Sequence, residues 1–357
     1  MRILQLIDSL ETGGAERMAV NYANALQNKI EFSGLIATRK EGNLKDQINP
    51  KVSYFFLNKI KTIDIQAIQK LFKYCKTNKI QFIHAHSSSY FLAVLIKLVL
   101  PKIKIIWHDH YGNNEFLNLR KSTVLKFCKR YFFIIIAVNQ TLKTWGQNVL
   151  KHKNVFYLPN FAFQISEITK ITELKGNKNK RILCLANLRP QKNHFFLLKI
   201  AKVIKSKHPN WTFHLVGKDF NDVYSTELKT KIKDENLENH VFIYGSKNDT
   251  DYIISQADIC ILTSESEGLP VALIEYGTHK KPVVCTAVGE ISNIINVTNG
   301  FLTGVTDVDG FLENIVKLIE NEAFRIQMGE QFYQTIYQGY SEEKVIRKYL
   351  KFLLNGI

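Results

Sequence analysis

No apolar run in this chain is long enough to cross a bilayer. The longest, Phe91 to Leu100, is broken by Lys97 and stopped by Pro101, against the roughly 20 residues a spanning helix needs. Five cysteines among 357 residues, Cys75, Cys128, Cys184, Cys260 and Cys285, are scattered without metal spacing, which excludes a disulfide framework and suggests a reducing compartment. Met1-Arg2 leads straight into Ile3-Leu4-Gln5-Leu6-Ile7 without a separate basic region, apolar segment and cleavage site, so no secretory signal is expected. There is no short-period repeat and no long low-complexity tract. Acidic residues are scarce in one half only. Residues 1–160 hold 24 Lys and Arg against 9 Asp and Glu, a balance of +15, while residues 161–357 hold 24 against 23, a balance of +1. Such asymmetry points to an anionic partner met by the N-terminal half alone: an acidic membrane face, a phosphate-bearing acceptor or nucleic acid. A solvated basic surface would give the same count.

What is present is an α/β pattern. Apolar runs at Ile3–Asp8, Ser33–Thr38, Tyr54–Leu57, Phe82–His86, Ile103–His108, Phe132–Val138 and Val155–Leu158 alternate with helical stretches. Several are continuous, as expected of parallel strands buried on both faces. Between Phe161 and Lys180 the chain turns polar and reads as a linker. A second series follows at Arg181–Ala186, Trp211–Val216, Val241–Tyr244, Ile259–Leu262 and Val283–Cys285. Two tandem doubly wound domains are therefore expected, with ligands near the strand C-termini, in a cleft between them. The boundaries read as 1–162, a linker over 163–180, 181–338, and a terminal helix within 339–357.

The segment Ser264 to Gly289 carries the most chemistry. A polar loop, Ser264-Glu265-Ser266-Glu267-Gly268, runs through Leu269-Pro270 into an apolar helical pattern carrying Glu275, then a strand and Gly289. Pro270 suits a first helical position, which leaves the amides of Val271 and Ala272 free to hold an anion. At about 1.5 Å per residue, Glu267 and Glu275 lie roughly 12 Å apart, too far to grip one metal or one scissile bond. An elongated ligand with a negative middle and hydroxyls at each end fits, and a nucleotide-sugar is one.

SEGLPVALIEYG resembles the E-x7-E signature of the retaining glycosyltransferases, family 4 in type, that build bacterial capsule and lipopolysaccharide on a GT-B fold of two Rossmann-like domains. The strand, acidic loop, helix, strand, glycine order is similar over the whole unit. The resemblance implies that the C-terminal domain binds a UDP- or GDP-linked sugar without a cofactor or metal. Glu275 would hold the ribose, Lys192, Arg189 and the Val271 and Ala272 amides the diphosphate, and Glu267 and His108 the sugar. Gly268, Leu269, Pro270 and Val271 would line the donor.

Other loops are similar to the same family. Gly13-Gly14-Ala15-Glu16-Arg17 follows the first strand, and adjacent glycines before a helix admit a phosphate; Gly14 is the residue expected nearest the donor, Glu16 a candidate on the acceptor side. Ala186-Asn187-Leu188-Arg189-Pro190-Gln191-Lys192 places Lys192 at the family's diphosphate lysine, but Asn187 stands where the family has arginine, leaving Arg189 as a substitute if the loop turns it inward. Fixed cations there would stabilise the charge that builds as a nucleoside diphosphate leaves. Gly217 closes the next strand in a form the family also shows. His84-Ala85-His86 and His108-Asp109-His110 end successive strands, each pair sharing a face. His108 matches the family's sugar-contacting histidine, with His110 the register alternative; His84, His86 and His110 are acceptor-side candidates.

The expected protein is thus a metal-independent, retaining hexosyltransferase, cytoplasmic and peripheral on the inner membrane face, with a lipid-linked or glycan acceptor on its basic N-terminal domain and no nucleic-acid partner. Leu117 to Phe133, where Arg120, Lys121, Lys126, Lys129 and Arg130 interleave with apolar residues, reads as a basic amphipathic helix fit for an anionic bilayer or as a core helix with a wet face. The alternatives are a nucleotide-sugar epimerase or hydrolase of the same fold, a metal hydrolase ligated by the four histidines and Asp109, and a non-enzymatic basic binding module.

Overall fold

The computed structural model describes residues 1–112, 114–162 and 170–354. The chain forms two compact units, Met1–Phe163 with Glu342–Ile357, and Gln164–Ser341. In the first, seven parallel strands, β1 (Arg2–Ser9), β2 (Phe32–Lys40), β3 (Ser53–Phe56), β4 (Phe82–His86), β5 (Lys104–Asp109), β6 (Phe132–Ala137) and β7 (Val155–Tyr157), run in the order β3-β2-β1-β4-β5-β6-β7. In the second, β8 (Arg181–Leu185), β9 (Thr212–Val216), β10 (Val241–Gly245), β11 (Ile259–Leu262), β12 (Val283–Thr286) and β13 (Phe301–Thr303) run β10-β9-β8-β11-β12-β13, also parallel. Central strands such as β4 and β11 are buried along their whole length because helices cover both sheet faces. Order reverses beside β1 and β4 in one unit and beside β8 and β11 in the other, the switch points where ligands of such sheets bind.

Each unit has its own core. Leu6, Ile83, Trp107 and Ile135 are buried together in the first, and Ile182, Phe213, Ile261 and Phe311 in the second. The helix Glu342–Leu354 belongs to the first unit: Tyr349 is fully buried against His84, Phe352 stacks on Phe156 with ring centroids 4.5 Å apart, and Glu342 pairs with Lys29 at 2.8 Å.

Three elements differ from the sequence reading. β13 was not expected, since three residues after Asn299-Gly300 at a sheet edge make too short a run to register. Of the expected linker, residues 163–169 lie outside the described residues, but Thr172 is buried: the Asp249 carboxylate accepts from its amide at 2.6 Å and its hydroxyl at 2.9 Å. This part of the strap is folded onto the second unit. The basic stretch Leu117 to Phe133 is not one helix; a single helix covers only Thr123–Cys128, flanked by short 3-10 turns, and β6 begins at Phe132. Arg120 interrupts it by turning inward to Asp109, as described below.

Candidate functional site

At the second unit's switch point, the loops that leave β8 and β11 meet. Lys192 Nζ lies 2.6 Å from Glu267 Oε1, and the Ser264 hydroxyl donates to the same oxygen at 2.7 Å. Glu267 is only 6 % exposed, so its charge needs these partners. The backbones are stitched together as well: the Glu265 amide donates to the Gln191 carbonyl and the Thr263 hydroxyl to the Lys192 carbonyl, both at 2.9 Å. Gly289 completes the frame. Its φ is +53°, and a Cβ there would collide with the Glu267 carbonyl, while the next amide, of Glu290, donates to Gly268 O at 3.0 Å. Only glycine fits this approach.

The helix Val271–Thr278 begins one residue after Pro270, which occupies the capping position with φ −64°. Its first-turn amides, Val271 and Ala272, have no partner within the helix, and Glu275 sits half-buried one turn on. Asn187, at the family's arginine position, is used structurally: its side chain accepts from the Lys218 amide at 2.7 Å. Gly217, beside it, lies so close to the Ala186 carbonyl that a Cβ would clash. Arg189 is exposed, with its guanidinium 4.2 Å above the Phe220 ring, and Lys218 Nζ is 4.9 Å from the same ring. Lys218 is thus a second cation on this rim, invisible to a motif reading because it follows Gly217 as an ordinary lysine.

In the first unit, Gly13 precedes the helix Gly14–Leu26 and supplies no side-chain cap, and Gly14 is exposed. The histidines of β4 and β5 form a stack: His84 Nε2 to His108 Nδ1 at 3.1 Å, and His86 Nδ1 to His110 Nε2 at 3.0 Å. Tyr349 OH meets His84 Nδ1 at 3.1 Å and Gln5 meets His86 Nε2 at 2.9 Å, while the Tyr22 ring packs edge-on against His84 and His108. Burial holds His84, His86 and His108 well below the usual imidazole range, each lowered further by its neighbours, and lowers His110 to about 3. All four are neutral. One nitrogen from each of His84, His86 and His108 lies within 4.8 Å of the others, a spacing a metal could use, although these nitrogens also pair among themselves and with Gln5 and Tyr349. His108 is fully buried behind Tyr22, whereas His110 is partly exposed. Of the two registers considered, His110 is the more exposed; β5 runs to Asp109, one residue past its expected end, and His108 lies buried within it.

Two doubly wound parallel units of this strand order, one with a cation and a carboxylate at its switch point, have the architecture of GT-B glycosyltransferases. Residues 12–161 match the family model described as Glycosyltransferase Family 4 and residues 165–335 that described as Glycosyl transferases group 1, and the chain belongs to this glycosyltransferase family. It is 25 % identical to the UDP-Gal:alpha-D-GlcNAc-diphosphoundecaprenol alpha-1,3-galactosyltransferase of Escherichia coli, covering 94 % of this chain and 92 % of that protein. It is 24 % identical to the amylovoran biosynthesis glycosyltransferase of Erwinia amylovora, over 98 % of each. The crystal structure of Anabaena HepE with UDP and glucose superimposes with a TM-score of 0.80 over 99 % of both chains at 18 % identity.

Proposed function

We propose that this glycosyltransferase moves a hexosyl group from a UDP- or GDP-linked sugar to a lipid-linked glycan in surface polysaccharide synthesis, with retention, without a metal, and from the inner face of the cytoplasmic membrane. The observation that carries the donor half is the Lys192–Glu267 pair at the second unit's switch point, ahead of a helix start with free amides. In this reading the diphosphate lies against Lys192 and the Val271 and Ala272 amides, Arg189 and Lys218 add positive charge from the rim, and Glu275 takes the ribose. Lys192 stabilises the departing diphosphate, and Glu267, clamped by Ser264, holds the ammonium in place. Gly14 approaches the donor, and Gly217, Gly268, Leu269 and Pro270 line it. Glu16, His84 and His86 stay on the acceptor side, His84 and His86 as buried supports, with His110 in the place first given to His108.

The acceptor half draws support from the +15 balance of residues 1–160 and from relatives, one named for galactosyl transfer to a diphosphoundecaprenol-linked sugar and one for amylovoran biosynthesis. Leu119, Val124 and Phe127 are more than half exposed beside Lys121 and Lys126, an apolar and basic surface suited to an anionic bilayer. No helix among the described residues is long and apolar enough to cross a membrane. The test incubates the protein with radiolabelled UDP- and GDP-sugars and detergent-solubilised membranes. Label in the lipid fraction supports transfer; donor isomerised or hydrolysed with none in lipid favours the epimerase or hydrolase. Chelator must leave the rate unchanged.

A further inference from the structure

On the opposite side of β4 and β5 from the histidine stack, the first unit holds a pocket of about 410 Å³ lined by Ser87, Ser88, Tyr90, Trp107, Asp109, Tyr111, Leu119, Arg120, Lys121 and Leu125, a volume within the roughly 300–1,000 Å³ typical of ligand sites. Its floor is built rather than incidental. Arg120 grips Asp109 with both terminal nitrogens, at 2.7 and 2.8 Å, and its guanidinium is sandwiched between the Tyr111 and Trp145 rings at 4.4 and 4.1 Å. Ser87 has φ +49°, a left-handed conformation costly for a serine, and its carbonyl accepts from Trp107 Nε1 at 3.0 Å. Strain of this kind collects at functional sites.

The pocket holds charged donors, and the hydroxyls of Ser87, Ser88, Tyr90 and Tyr111 can donate as well as accept. Two of five Arg120 N–H groups go to Asp109, and the rest have no partner among the described residues. Lys121 and the Ser87 hydroxyl have none either. Asp109 already accepts twice from Arg120 and once from the Tyr111 amide, so little of its capacity remains. Cationic donors such as Arg120 and Lys121 favour an anion over a neutral sugar ring. Among the described residues of the lining, two cations face one carboxylate, which leaves a net positive charge. The edge is apolar: Leu119 is 73 % exposed, and Val124 and Phe127, three apart on the next helix, are 51 % and 62 % exposed on one face.

We propose that this pocket seats the phosphate of the lipid-linked acceptor, with Lys121, Arg120 and Ser87 donating to it and the hydrocarbon chain leaving over Leu119, Val124 and Phe127. The proposal rests on the transferase reading above and assigns its acceptor a place. Neither a free phosphate nor a bare alcohol satisfies both halves of the site.

Farnesyl phosphate, inorganic phosphate and farnesol are the probes. Trp107 and Trp145 sit at the pocket and Trp211 in the other unit, so tryptophan emission reports binding. Farnesyl phosphate is expected to bind at least tenfold more tightly than either fragment, and Lys121→Ala and Ser87→Gly each to weaken it about tenfold; the glycine also relieves the positive φ, so folding is preserved. Leu119→Gln, which removes apolar surface without adding charge, weakens farnesyl phosphate and leaves inorganic phosphate unchanged. Equal binding of farnesol and farnesyl phosphate, or full affinity in Lys121→Ala, overturns the assignment. UDP binding, in the other unit, is unchanged in all three variants. Lipid labelling with an unaltered acceptor KM in Lys121→Ala refutes the pocket alone, whereas absence of lipid labelling by the wild type refutes the transferase reading.

Discussion

Acid should unfold the first unit through its histidine stack. His84, His86 and His108 are fully buried and neutral when folded, and unfolding returns each to an ordinary imidazole. Because burial depresses the folded pKa, the unfolded chain binds more protons below about pH 6.5, and stability falls as pH drops through that value. For a group that stays neutral when folded, the loss is about 2 kcal/mol at pH 5 against about 0.2 kcal/mol at pH 7. If all three stay neutral when folded, they remove at most about 6 kcal/mol over this range, comparable with the roughly 5–15 kcal/mol that holds a domain together. Urea unfolding at pH 7 and pH 5, followed by emission of Trp107 and Trp145, measures it. A His108→Phe variant, aromatic and unable to take up a proton, should be less stable at pH 7 yet lose about 2 kcal/mol less on going to pH 5. A first-unit midpoint that does not move between the two pH values refutes the reasoning.

Lys192→Ala should lower kcat by about a hundredfold or more while changing donor KM little, since the ammonium acts chiefly on the departing diphosphate; steady-state rates over a range of donor concentrations check this. Glu275→Ala should instead raise donor KM and the UDP dissociation constant, read by calorimetry. Gly289→Ala meets both the positive φ and the Glu267 carbonyl, so it should cost about 1–3 kcal/mol in thermal unfolding and displace Glu267 enough to abolish turnover. Asp109→Leu strands the Arg120 guanidinium, 8 % exposed, and should destabilise the protein by about 3–5 kcal/mol, most of it recovered in the double variant Asp109→Leu/Arg120→Leu.

Much of the fold was legible because buried parallel strands are continuous apolar runs: every run from Ile3 to Cys285 read as a strand overlaps one in the structure. The meeting of the loops around Lys192 and Glu267 was legible for another reason, since glycines and charges held at backbone turns, as at Gly217 and Gly289, leave a local pattern. Contacts made across the sheet leave none. Nothing in Leu117 to Phe133 announces that Arg120 reaches back to Asp109, and nothing near His84 announces Tyr349, 265 residues on. Which of His108 and His110 would face a ligand was likewise not legible, because side-chain alternation gives a strand's faces but not the residue at which it emerges from cover.

The helix Glu342–Leu354 makes the first unit discontinuous in the chain. Until residue 349 has left the ribosome, Tyr22 and His84 lack the ring that covers them, so this unit cannot finish folding before the other has been synthesised. The second unit, contiguous over 164–341, is free to form first, reversing the usual N-to-C order of cotranslational folding.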